Sequence, residues 1–159
     1  MSRIIVIITL ICINAYSQNF ESRVFGGVTL PIGAELGFIG ETDLPNTEML
    51  KVFTKASLCW APVLSNKKDV NSMLIAGFQP GFRLKLMDEK FMISGGLSVN
   101  PIMPLPFDGM KVGFGTFFGV GTRINNVEIG LYPTLVFSQK IGWLSLTISK
   151  AITKNRESK

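Results

Sequence analysis

From Val24 to Phe38 apolar residues recur at every second position: Val24, Val28, Leu30, Ile32, Ala34, Leu36 and Phe38, with Gly26 the one break. The positions between them are small or polar: Gly27, Thr29, Gly33, Glu35 and Gly37. A period of two is the signature of a β-strand, because successive side chains point to opposite faces. One strand of this length would reach about 50 Å at about 3.3 Å per residue, whereas a tilted membrane strand needs only about 9–11 residues. Pro31 lies inside the stretch and predicts a turn, dividing it into strands 23–30 and 33–40.

Six further segments follow the same template: 51–62, 73–86, 91–99, 111–124, 127–137 and 141–151. Within 111–124, Val112, Phe114, Phe118, Val120 and Ile124 alternate with Gly113, Gly115, Gly119, Gly121 and Arg123. Asp88-Glu89 and Asn125-Asn126 read as tight turns, and Glu41 and Asp43 fall in a loop after residue 40. Pro101, Pro104, Pro106 and Asp108 mark a proline-rich loop over 100–109, a candidate docking surface. Every connection is too short for a crossover helix. The fold class is therefore all-β, an antiparallel up-and-down barrel of about eight strands.

Alternation fits either a soluble barrel or a barrel turned inside out in a membrane. The glycines decide between them. Glycine weakens a strand facing water and packs against nothing there, but it suits the inside of a narrow barrel where room is short. The sparse charges on the same face, Glu35, Lys55, Arg83, Arg123 and Glu128, then pair across the lumen as structural groups. Phe38, Trp60, Phe78, Phe91, Phe137 and Trp143 are placed on the apolar face near strand ends, as interfacial girdles. Composition agrees: mean hydropathy is +0.35 and 17% of residues are charged, against about 25% in an average soluble domain.

The N-terminus reads as a cleaved secretory signal. Arg3 precedes the apolar run from Ile4 to Ile13, and Ala15 and Ser17 sit at positions −3 and −1 of a cleavage site before Gln18. The expected organisation is a signal peptide over 1–17, a barrel domain over 18–152 and a basic tail over 153–159. Cleavage removes Cys12 and leaves Cys59 as the single cysteine, so no internal disulfide forms. The net charge of +5 is scattered, with no basic stripe interleaved with aromatics, which argues against nucleic acid as a partner.

With its Ala15-Tyr16-Ser17/Gln18 junction, its strand number and its glycine-rich alternation from Val112 to Ile124, the chain resembles the small eight-stranded outer-membrane barrels, of the OmpA transmembrane domain and OmpX type. The resemblance covers about residues 22–152. It implies residence in the outer membrane of a Gram-negative envelope, with membrane lipid as the immediate partner. The barrel enzymes of that membrane use a catalytic histidine, and this chain has none. The same lack removes Ser-His-Asp triads and histidine-ligated metal sites, so no enzyme activity, cofactor or metal is expected. Three functions stay open: a structural or accessory subunit of a larger envelope complex, with other outer-membrane proteins as partners; a small pore; and a secreted, lipocalin-like soluble barrel holding an apolar ligand.

Overall fold

The computed structural model describes residues 20–30, 33–44, 47–63, 71–88, 90–105 and 109–154. The signal segment, Pro106 and Asp108 lie outside the described residues. Eight antiparallel strands close on themselves in chain order: β1 Phe20–Leu30, β2 Gly33–Leu44, β3 Thr47–Val63, β4 Asn71–Leu86, β5 Phe91–Leu105, β6 Lys111–Ile124, β7 Val127–Val136 and β8 Ile141–Lys154. A 3₁₀ turn, Phe137–Gln139, precedes β8. The opening alternation divides into two strands, because β1 ends at Leu30, β2 begins at Gly33 and the two pair from Phe20↔Thr42 to Thr29↔Gly33; Pro31 itself lies outside the described residues.

Register fixes the shape. A walk round the pairings from Arg23 passes Ile39, Lys55 and Gln79 and arrives at Ile141, ten residues short of Ala151, the residue Arg23 pairs directly. Eight strands with this stagger tilt roughly 40° from the barrel axis. One end holds the short connections 45–46, 87–90 and 125–126. The other holds 31–32, 64–70, 106–110 and 137–140. At the short end the backbone is left-handed at Met87, Asp88 and Asn125, with φ of 50°, 54° and 56°. Asn and Asp tolerate that region, which is why those dipeptides announce turns.

Three sequence expectations are corrected. The loop expected over 100–109 is strand as far as Leu105, so Pro101 and Pro104 belong to β5. Pro104 lacks a ladder donor where β5 has already outrun β6, whose last pairing is Lys111 with Ile102, whereas Pro101 stays in the ladder opposite Val112. Glu41 and Asp43 belong to β2, where they continue the phase of Glu35. The barrel also ends later than residue 152, since Thr153 and Lys154 pair with Ser22 and Glu21.

Candidate functional site

The two faces of the wall are opposite in character. Leu36, Phe38, Phe114 and Leu97 point outward and are 63, 59, 59 and 69% exposed. Lys55, Arg83, Glu41 and Glu128 point inward and are 0, 0, 1 and 1% exposed. A water-soluble barrel has the reverse arrangement. This also removes the lipocalin-like reading, whose interior would be apolar. Trp143 is corrected as well. It shares the phase of Ser145 and Thr147, so it sits half-buried inside the barrel instead of in an outer girdle. Phe38 and Phe78 face outward but lie mid-strand, whereas Trp60, Phe91 and Phe137 lie near barrel ends.

Inside, the strand tilt sorts side chains into layers. At the short-connection end the layer is ionic. Arg83 reaches across from β4 and donates to Glu128 at 3.0 Å, to Tyr132 Oη at 2.7 Å and to Ser94 Oγ at 3.0 Å, with Glu41 at 3.5 Å. Its guanidinium also stacks over Phe53, 4.3 Å from the ring centroid. Arg123 donates to Glu41 and, at 3.1 Å, to Glu128. Arg23 donates to Glu21, to Ser149 Oγ at 3.1 Å and to the Asn126 carbonyl at 2.7 Å. The Tyr132 hydroxyl in turn donates a hydrogen bond to Glu128 at 3.0 Å. A cavity of about 400 Å³ opens at this end beside Glu21, Arg23, Lys90 and Arg123.

Above the ions lies an aromatic layer of Phe25, Phe53, Phe117 and Tyr132, with Ile39. Phe53 stacks on Tyr132 at 6.2 Å and tilts against Phe117 at 5.7 Å. Glycine makes room for these rings. A Cβ at Gly119 or Gly130 would fall 2.5 Å from Tyr132 ring carbons, far inside contact distance. Lys55 crosses this layer and donates to Glu35 at 2.7 Å. Its ammonium sits 4.8 Å from the Phe25 ring centroid and 5.0 Å from that of Tyr132. An apolar cap of Cys59, Ile75 and Ile102, with Met73, Ile141 and Trp143 against it, closes the far end.

The structure thus places all five expected lumen charges inside. Glu35 and Lys55 form one pair. Arg83, Arg123 and Glu128 form a separate network with Glu21, Arg23 and Glu41. The last three, and the aromatics Phe25, Phe53 and Phe117, were missed from sequence. Their signal was the phase: each lies an even number of residues from a polar lumen position on its own strand. Among the described residues no group of acids and cysteines is arranged to hold a metal, and Asp88 stands in an exposed turn.

No protein-family model matches the chain, and no curated protein matches it. Solved structures do. The Yersinia pestis outer membrane protein Ail in a phospholipid bilayer nanodisc matches with a TM-score of 0.50 at 10% identity, over 83% of this chain and 99% of that one. The chain has the fold of an outer-membrane β-barrel. Two others are similar at lower scores. A crystal structure of Ail, the attachment invasion locus protein of Yersinia pestis, has a TM-score of 0.42 at 10% identity over 84% of this chain and 93% of the other. A de novo designed transmembrane β-barrel has a TM-score of 0.47 at 8% identity over 84% and 95%. In this transmembrane barrel the apolar exterior faces lipid and the ionic layer replaces the hydrophobic core of a soluble protein.

Proposed function

We propose that the protein is a non-conducting structural subunit of the outer membrane that docks other envelope proteins. The observation that carries this reading is the interior: Phe53, Lys55, Arg83 and Tyr132 are all 1% exposed or less, and they meet at the centre of the barrel. An eight-stranded barrel is just wide enough for side chains to fill, and here aromatic rings and ion pairs fill it. A conducting path would have to break several buried pairs at once.

The docking surface is the ledge at the long-connection end. There β3 continues through Ala61–Val63 beyond Trp60, its last partner-bearing residue toward β2. Likewise β5 continues through Met103–Leu105 beyond Ile102. Three residues on each strand lift a three-stranded ledge roughly 10 Å above the neighbouring rim, measured along the strands. Among the described residues Pro62 lies beyond the last pairing with β2 and Pro104 beyond the last pairing with β6, and neither has an N–H to offer an incoming strand. A partner therefore engages side chains of the ledge and not its edges. Long connections lie outside the cell in such barrels, which points the ledge outward.

The reading is tested by reconstitution and cross-linking. The folded barrel is expected to leave a planar bilayer silent; steady unit conductance would sink the reading in favour of the pore. A photo-reactive residue at Met103 is expected to trap the protein that copurifies in mild detergent, while one at Phe118, within the lipid-facing band, traps none.

A further inference from the structure

Between the aromatic layer and the apolar cap the lumen changes character. The tilt brings Ser57, Gly77, Ser98, Gly115, Thr134 and Ser145, from the six successive strands β3 to β8, to one height. Six neighbouring strands thus offer the interior nothing larger than threonine, directly above a layer built from Phe and Tyr rings. Four polar groups converge on this level. Gln79 reaches up from below and donates to Thr134 Oγ1 at 3.0 Å, and Asn100 reaches down from above and donates to Ser98 Oγ at 3.1 Å. Each spends its NH₂ in this way, and the amide oxygens Gln79 Oε1 and Asn100 Oδ1 are buried with no protein partner among the described residues. One Glu35 oxygen accepts from Lys55, and among the described residues neither Glu35 Oε2 nor Ser145 Oγ, both buried, has a protein partner. Asn100 Oδ1 points over Gly77, lying 3.5 Å from where a Cβ there would be.

The geometry points to a sealed hydration site: a small cluster of ordered water bound in the lumen, bridging Glu35, Gln79, Asn100 and Ser145. Three of the four orphaned atoms can only accept, so their occupant must donate. Water donates two hydrogen bonds and accepts others, and buried water of this kind is held by two to four polar partners. A lone cation fits less well, because the Lys55 ammonium already neutralises Glu35 at 2.7 Å. The site is closed below by Phe25, Phe53, Phe117 and Tyr132 and above by Cys59, Ile75 and Ile102. It is therefore internal water that does not amount to a pore, and it does not depend on the barrel's proposed docking role.

The test is water-to-protein magnetisation transfer by NMR on the full folded chain in phospholipid nanodiscs. Direct transfer is expected at the side-chain amides of Gln79 and Asn100 and at the backbone amide of Ser145, and not at Phe53 or Phe117. Absence of transfer at Gln79 and Asn100 overturns the site. Exchanging sodium for potassium is expected to leave these resonances in place; a shift at Glu35, Gln79 and Asn100 on exchange would overturn water in favour of a bound metal ion. Ser57→Leu, which fills the level, is expected to reduce the transfer at least twofold in barrel that still shows a folded gel mobility. Unchanged transfer in that folded variant counts against the site, and if the variant does not fold the wild-type measurement decides alone.

Discussion

Arg83→Met removes the hub of the ionic layer while keeping much of the side-chain volume. The guanidinium is 0% exposed and joins Glu128, Glu41, Tyr132, Ser94 and the Phe53 ring. Its network holds three carboxylates, Glu21, Glu41 and Glu128, against three guanidiniums, Arg23, Arg83 and Arg123. The substitution leaves Glu128 and Glu41, both buried, without the guanidinium that lies between them. Removing one partner of a buried pair costs roughly 3–5 kcal/mol, because the other partner keeps its desolvation penalty without the attraction. That corresponds to about a hundred-fold to a few-thousand-fold loss in the folding equilibrium. Urea titration of the barrel in vesicles, followed by gel mobility and by Trp60 and Trp143 fluorescence, measures it. The decisive comparison is the double variant Arg83→Met/Glu128→Gln, which also removes the carboxylate charge that Arg83 faces at 3.0 Å. It should recover at least half of the loss, giving a coupling of roughly 1.5 kcal/mol or more between neighbours in one network. A single-variant loss under about 1 kcal/mol, or a double variant as unstable as the sum of its parts, would refute the claim that the ionic layer holds the barrel together.

Other substitutions probe separate parts of the wall. Leu97→Lys replaces an outward residue that is 69% exposed; it should cost roughly 2–4 kcal/mol in vesicles, as a cation near the bilayer midplane does, whereas a near-neutral result would mean that this face meets water. Gly119→Ala puts a Cβ 2.5 Å from the Tyr132 ring and should cost about 1–3 kcal/mol, with the loss reduced when Tyr132→Leu is added. Lys55→Met leaves Glu35 buried and unpaired; stability should fall by roughly 3–5 kcal/mol and return largely in Lys55→Met/Glu35→Leu, both read by urea midpoint at constant slope.

Much of the architecture could be read from phase alone. The segment 111–124 coincides with β6, and the opening alternation does divide into two paired strands, β1 and β2. Two kinds of residue escaped. Glu41 and Asp43 were given to a loop because Gly40 and the acids look like turn chemistry, yet β2 runs on to Leu44 where Glu41 meets Arg83 and Arg123. Propensity lost there to an ion pair supplied by strands distant in sequence. The lumen aromatics escaped for a different reason. Phe25, Phe53 and Phe117 share the polar phase of their strands, and apolar residues on both phases blur a period of two. Only closure of the barrel explains why a large ring belongs opposite Gly119 and Gly130.

The inside-out arrangement also determines where specificity must reside. Outside, lipid is as apolar as Leu36 or Phe114, so contact with it discriminates weakly between one register and another. Shifting a strand by one residue would nevertheless exchange the two faces, placing Lys55 or Arg83 in hydrocarbon and Leu58 or Phe82 in the lumen. A shift by two residues would keep the faces, but in β4 it would move Arg83 away from Glu128 and Tyr132, and in β6 one direction of shift would bring Phe117 to the level that Gly119 keeps open. The ion pairs and the glycine clefts therefore distinguish registers that the apolar exterior would accept equally. Arg83→Met should for that reason do more than lower stability. During refolding into vesicles it should raise the yield of misregistered barrel with altered gel mobility, whereas Phe82→Leu on the lipid face should not. Equal yields from the two variants would assign register to the strand ladders instead of the lumen.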